Sequence, residues 1–226
     1  MPRLRCTLLG VGAMRSPRFA PAGLLVALGR TRVMLDGGPG AVPAGRLDAW
    51  LVTDDHAELI AAIRRIARAR GCEPAVNAFA QGGLRILPRP VRHTSHPAFG
   101  YDIRAGTARA VWAPEFLVFP RWARGTPLLF AEGSGWSRRI WFAGRVGGHA
   151  SIDEVCVAAA RERVGRLVFA HLGRPTLAAL DRGCRPPLGE IGREGRTYCP
   201  LSPGSPRRSP RPRPGGRSRR SGRARP

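Results

Sequence analysis

Lysine is absent from this 226-residue sequence, so all 38 basic residues are arginine, set against 15 acids for a formal net charge of +23. Arginine, alanine, glycine and proline share GC-rich codons, and Gly (29) and Pro (22) are also abundant. Codon bias therefore accounts for part of the charge, and the charge alone does not assign a nucleic-acid partner. No apolar run approaches the roughly 18–20 residues of a membrane span, so no membrane partner is expected. No repeat of about 20–50 residues is visible, which excludes a solenoid. Residues 1–5 lack the apolar core and small-residue cleavage site of a signal peptide. The five cysteines (Cys6, Cys72, Cys156, Cys184, Cys199) are scattered and form no Cys-x-x-Cys pair. That pattern excludes a disulfide framework or zinc ribbon and points to a reducing compartment, the cytoplasm. Cys6 and Cys156 are expected to be buried as small hydrophobes.

What is present is a body that is apolar enough to fold and an end that is not. The whole chain is 43% apolar. Residues 201–226 hold nine Arg, six Pro, five Ser, four Gly and no acid, carrying +9 of the net charge. Such a segment cannot bury enough surface to offset its ordering entropy, so it is expected to be disordered. It could grip phosphates through counterion release, but GC-rich coding alone produces much the same composition, and no chemistry is assigned to it.

Along the body, residues 3–9, 24–28 and 31–35 read as strands, with Gly29-Arg30 turning between the last two. A short strand at 48–52 runs into a helix from about residue 55 to residue 70. Leu59, Ile60, Ile63, Ile66 and Ala67 form its apolar stripe, Asp54 or Asp55 its cap and Gly71 its end. Residues 84–87, 100–104, 108–112 and 127–131 read as further strands. A second helix opens on the capping box Ser151-x-x-Glu154 and reaches about residue 163, followed by a strand at 166–170. Strands first, then strand–helix–strand units, predict a mixed α/β layered domain. Trp112, Trp122, Trp136 and Trp141 are expected to pack rather than to form a stacking surface.

The histidines fall at element ends or in loops: His56, His93, His96, His149 and His171. Ligand sites in α/β proteins gather beyond the carboxyl ends of strands. A lone histidine there is more often structural, but four at equivalent strand ends mark a site. Asp36, Asp54, Asp55, Glu58 and Glu115 occupy similar places. Imidazoles with carboxylates suit zinc or another borderline divalent ion.

The order of these pieces resembles the metallo-β-lactamase superfamily, and within it the ribonuclease Z-like and phosphodiesterase-like branch, over residues 3–182. Leu8-Leu9-Gly10-Val11-Gly12 is similar to the opening strand and turn. Val33-Met34-Leu35-Asp36-Gly37-Gly38-Pro39-Gly40 resembles the third strand with its Asp-Gly loop. Thr53-Asp54-Asp55-His56-Ala57-Glu58-Leu59 lies where the family has its His-x-His-x-Asp-His signature. Trp112-Ala113-Pro114-Glu115 stands at the place of a bridging Asp. Gly148-His149-Ala150-Ser151 resembles the Gly-His-x-Ser helix start, and Phe169-Ala170-His171-Leu172-Gly173 the last strand with its ligand. The resemblance implies a four-layer αββα sandwich over residues 1–200, followed by the tail.

The resemblance also implies a metal site, here degenerate. Asp54 replaces the first signature histidine, Leu59 the last, and Glu58 and Glu115 are each one methylene longer than the usual Asp. The implied ligands are Asp54, His56, His93, Glu115 and His171. His96 competes with His93, which is favoured for its nearness to the preceding strand. Such a site is harder and richer in oxygen than usual, which favours manganese or iron over zinc; the cofactor expected is a divalent ion, zinc or manganese, with one ion bound or none. Glu58 would orient or deprotonate water, and His149 would protonate a leaving oxygen. The arginine content favours a small anionic substrate such as a phosphodiester or other anionic ester. Two other readings remain open: a metal-free relative that binds an anion or a partner protein, and a less favoured nucleic-acid-binding module that uses the tail.

Overall fold

A computed structural model describes residues 2–200; residues 201–226, with the tail expectation that rests on them, lie outside the described residues. The chain opens with strands β1 (Arg5–Gly10), β2 (Gly23–Leu28) and β3 (Thr31–Asp36), an antiparallel set that continues into β4 (Ala49–Leu51), parallel to β3. Gly29, at φ 59°, makes the tight β2–β3 turn that a side chain would strain. Helix α1 (Ile60–Arg68) follows. Then come β5 (Phe79–Gln81), β6 (Leu84–Val91), β7 (Ala98–Ala105), β8 (Ala108–Ala113) and β9 (Leu128–Gly133). A small hairpin of β10 (Ile140–Trp141) and β11 (Gly148–His149) leads into α2 (Ile152–Arg161) and β12 (Arg166–Leu172). Helix α3 (Arg174–Asp181), β13 (Glu190–Ile191) and β14 (Thr197–Tyr198) complete the described chain.

The strands form a five-stranded sheet in the order β14-β1-β2-β3-β4 and a seven-stranded sheet in the order β13-β12-β9-β8-β7-β6-β5. Strand alternation sets the layers. Val33 and Leu35 of β3 enter the core shared by both sheets, with Leu24 and Val26 of β2 beside them. Met34 points the other way, into a cluster with Trp50, Ile63 and Ala67 that fastens α1 to the outer face of the first sheet. Burying a side chain such as Ile63 contributes about 1.5–3 kcal/mol. On the second sheet, β8, β9 and β12 run parallel. Every position of β9 is buried, which is why its sequence is a nearly continuous apolar run. Helix α2 adds Ile152, Val155 and Ala159 to the core. The result is the expected α/β/β/α sandwich, with the carboxyl ends of β8, β9 and β12 at one edge.

Several local expectations are corrected. Helix α1 begins at Ile60, not near residue 55, with Leu59 at its N-cap position and no side-chain cap. Asp54 Oδ1 accepts from the His56 amide at 2.7 Å, and Asp55 Oδ1 from the Val76 amide at 3.3 Å. Strands β5, β10, β11, β13 and β14 are too short to carry a period-2 signal, and the sequence reading also passed over α3. Trp112 is buried, and Trp122 and Trp136 pack against the core as expected, but Trp141 is 45% exposed. Cys6 and Cys156 are buried, and all five cysteines are free. Among the described residues no helix is long and apolar enough to cross a membrane.

The capping box is present as read: Ser151 Oγ accepts from the Glu154 amide at 3.3 Å and the Glu154 carboxylate accepts from the Ser151 amide at 3.1 Å. Ser151→Ala is expected to cost about 1 kcal/mol, read as a lowered urea midpoint with an unchanged m-value.

Candidate functional site

Three carboxyl ends of strands, carrying half-buried Asp36 and buried Glu132 and His171, form the base of the site. Asp36 ends β3 with φ 51°, a left-handed conformation that non-glycine residues rarely adopt. Its Oδ1 accepts from the Thr53 amide (2.7 Å) and hydroxyl (3.0 Å), and its Oδ2 from Trp112 Nε1 at 2.6 Å. One carboxylate thus ties the loop bearing Asp54 and His56 to the strand that delivers Glu115. Burial raises the Asp36 carboxyl to about 6, against the lowering effect of the Trp112 and Thr53 hydrogen bonds.

At the end of β9, Glu132 has no exposed surface. Its Oε2 accepts from the Phe116 amide (3.1 Å) and His149 Nδ1 (2.7 Å), and its Oε1 from the Ser134 amide (2.9 Å). His171 Nδ1 lies 3.5 Å from the same Oε1. His171 sits where the β12–β9 register shifts between Ala170 and Leu172, at φ 58°, which turns its ring out of the strand and into the cluster. Ser134 Oγ donates to the His171 carbonyl at 3.0 Å and so is free to accept from His171 Nδ1 at 2.9 Å.

The hydrogen-bond partners fix how these imidazoles are protonated. The partner of His93 Nδ1 is the Gly148 carbonyl, at 3.1 Å, which can only accept. The partner of His149 Nδ1 is the ionised Glu132. All three rings therefore carry hydrogen on Nδ1 and turn Nε2 away from these partners. Two of those Nε2 atoms converge on Glu115, His93 at 2.7 Å and His171 at 3.2 Å. A bare nitrogen lone pair cannot face a carboxylate at these distances; a proton or a cation must lie between. The ring centroids of His93 and His149 are 4.8 Å apart, and those of His149 and His171 5.2 Å apart. Phe142 meets the rings of His93 and His149 edge-on, closing one side.

A second group stands beside the first. Asp54 Oδ2 lies 2.8 Å from His96 Nε2, and the His56 ring, exposed, packs edge-on against His96 at 5.1 Å. Both groups and Glu58 line one cavity of about 470 Å³. The charges polarise one another. Burial opposes the charge of His171, but Glu115 and Glu132 outweigh it and hold the ring up at about 9. Burial likewise raises Glu115, but His171 and His93 pull it down to about 2. Glu132 lies far below the usual carboxylate range, the lowering coming first from His149. His93 is raised, Glu115 outweighing its burial.

Of the side chains expected from sequence, His93 and His171 each touch Glu115, with the His149 ring beside both imidazoles. Asp54 and His56 lie in the neighbouring group on the same cavity, and Glu58 is an exposed residue just before α1 that also lines it. His93 and His96 do not compete for one place; they serve the two groups separately. The sequence reading missed Glu132, whose donor atom lies within 4.8 Å of those of His149 and His171. With both oxygens saturated and buried, Glu132 acts as the holder of those rings rather than as a ligand. Its signal was available: an acid in an otherwise apolar strand. Among the described residues lining the cavity none is arginine, and its basic groups are imidazoles.

Neither family models nor curated proteins give a match to this sequence. Solved structures do. The chain is similar to the metallo-β-lactamase fold protein YhfI from Bacillus subtilis, at 18% identity and a TM-score of 0.67, over 86% of this chain and 99% of that one. It is similar to a diphosphatase of the PhnP family, at 17% identity and a TM-score of 0.65, over 87% and 96%. It is also similar to zinc-bound PqqB from Methylobacterium extorquens, at 13% identity and a TM-score of 0.63, over 86% and 99%.

The raised value of His171 gives a pH test. Its charged form is favoured by folding, so its contribution is complete below about pH 6.5 and is lost as pH rises through about 9. In chelator-treated protein, denaturation between pH 6.5 and 9.5 should show a loss on the order of 2–3 kcal/mol. His171→Asn should flatten that slope; an equal slope in both proteins would place the titration elsewhere.

Proposed function

We propose that this protein, which has the metallo-β-lactamase fold, is a metal-dependent hydrolase acting on phosphodiesters or other anionic esters. The observation that carries the reading is the pair of Nε2 atoms, from His93 and His171, aimed at Glu115 while both Nδ1 atoms are committed elsewhere. That donor set fits a divalent cation such as zinc or manganese in place of the shared protons. His93, Glu115 and His171 would hold it, with Asp54 and His56 contributing from the second group. A bound ion supplies Lewis acidity and a water of lowered pKa.

The chain's own groups divide the remaining work. Glu132 accepts from Nδ1–H of His149 and so sets the ring with Nε2 free of that partner, placed to hand a proton to a leaving oxygen, the logic of a carboxylate-oriented imidazole. Glu58 lines the cavity and is the available carboxylate for orienting water. With no arginine among the described lining residues, substrate anionic oxygens would be met by imidazole N–H and the ion. The free cysteines accord with work in the cytoplasm.

Purified protein dialysed against zinc or manganese should retain close to one equivalent or more and hydrolyse a generic phosphodiester such as bis-(p-nitrophenyl) phosphate. His149→Ala should lower kcat about 10²-fold or more with metal content unchanged. Below about 0.1 equivalent of any ion, with no stabilisation on metal addition, the metal-free reading takes over: the His–Glu pairs would then be internal salt bridges around an anion-binding cavity.

A further inference from the structure

Part of the cavity's lining is of a different character from its imidazoles. Pro21, Ala22, Leu59 and Ile63 line it together with Met14, which is 37% exposed. Three of them converge on the glycine loop after β3: a methyl group placed on Gly38 would lie 3.6 Å from Pro21, 3.7 Å from Leu59 and 3.8 Å from Ile63. This wall is anchored, since Ile63 is 4% exposed and belongs to the cluster under α1, with Leu59 packed against it. The wall is therefore fixed before any ligand arrives, which removes an ordering cost from binding. Its location matters as well. Leu59 is three residues from His56 and Ala22 lines the same space as Asp36, so a molecule engaged by the imidazoles reaches the apolar wall within one cavity.

A cavity of about 470 Å³ is in the range of small-molecule sites, and an apolar lining with a few convergent polar groups is the usual form of such a site. We infer that the site selects a small, amphiphilic anion: one phosphoryl- or carboxyl-type head at the imidazole end and a compact apolar group, aryl or short alkyl, against Leu59, Pro21 and Ile63. The inference rests on the proposed function for the identity of the head's end. It goes beyond that reading in making Leu59 and Met14 specificity-determining residues, and in assigning the rest of the substrate to an apolar class rather than a polyanionic one. The absence of arginine from the described lining points the same way, because a second phosphate would find no guanidinium there.

The test uses non-hydrolysable phosphonates, so that binding is read without turnover. Calorimetric affinities of methylphosphonate, propylphosphonate and phenylphosphonate are measured on the full-length protein, with zinc and with chelator. Each buried methylene contributes about fourfold in affinity at most, so phenylphosphonate should bind at least about tenfold tighter than methylphosphonate. Leu59→Gln should cut that ratio to under about threefold, the loss falling on phenylphosphonate. Met14→Gln should lower it in the same direction and serves if the Leu59 variant does not fold. Val157→Gln, an exposed position on α2, should leave it unchanged. Equal affinities across the series, or no binding by any member, would overturn the inference. A flat series in protein that holds metal and turns over phosphodiesters sinks this inference alone. A preserved ratio in protein that holds no metal and hydrolyses nothing sinks the hydrolase reading and leaves this one standing.

Discussion

Glu132 carries a negative charge where no water reaches it, and an isolated carboxylate in that position would cost several kcal/mol. Two backbone amides and the Nδ1 atoms of His149 and His171 surround it, so the cost is offset only when β9, β11, the end of β12 and the loop at Phe116 are all in place. The same contacts decide the chemistry. Because Glu132 can only accept, each imidazole it holds keeps its hydrogen on Nδ1 and presents Nε2 elsewhere. One group thus orients the proposed proton donor His149 and helps hold the candidate ligand His171, while the Gly148 carbonyl holds His93.

Asp36 plays a comparable part at the other sheet. It accepts hydrogen bonds from Thr53, in the loop after β4, and from Trp112, on β8 of the second sheet. The two loops that carry acidic and imidazole groups into the cavity are therefore referenced to a single oxygen pair at the end of β3. Its left-handed backbone, like that of His171, is a local cost located at the site rather than in the sheets. Around this polar centre the lining differs in character: Phe142 stands edge-on beside the imidazoles, and aliphatic side chains line the same cavity.

Much of this was readable from the chain. The strands that pack on both faces, such as β9 and β12, announce themselves as apolar runs, and the Ser151–Glu154 box marks the start of α2 to within a residue, though the helix stops at Arg161 rather than near residue 163. The histidines stand out because they are few and sit where strands stop. What could not be read is whatever depends on partners distant in sequence. Asp54 and Asp55 look like helix caps until the fold supplies His96 and Val76 as competing partners. Strands β13 and β14 exist only because β12 and β1 offer them an edge. Glu132 looks like a stray acid until His149 and His171, 17 and 39 residues away, arrive beside it. The arginines, abundant in composition, are absent from the described lining of the one place where they would bear on substrate choice.

The central claim is that a buried carboxylate orients imidazoles for a divalent ion, and Glu132→Gln addresses it most directly. The substitution keeps shape and removes one acceptor. Zinc or manganese affinity is to be measured by competition with a chromophoric chelator, on variant protein whose circular dichroism matches the parent. The account predicts affinity lower by about 10–100-fold. Unchanged affinity in the folded variant would contradict it, since the imidazoles would then be presenting Nε2 without the group argued to hold them.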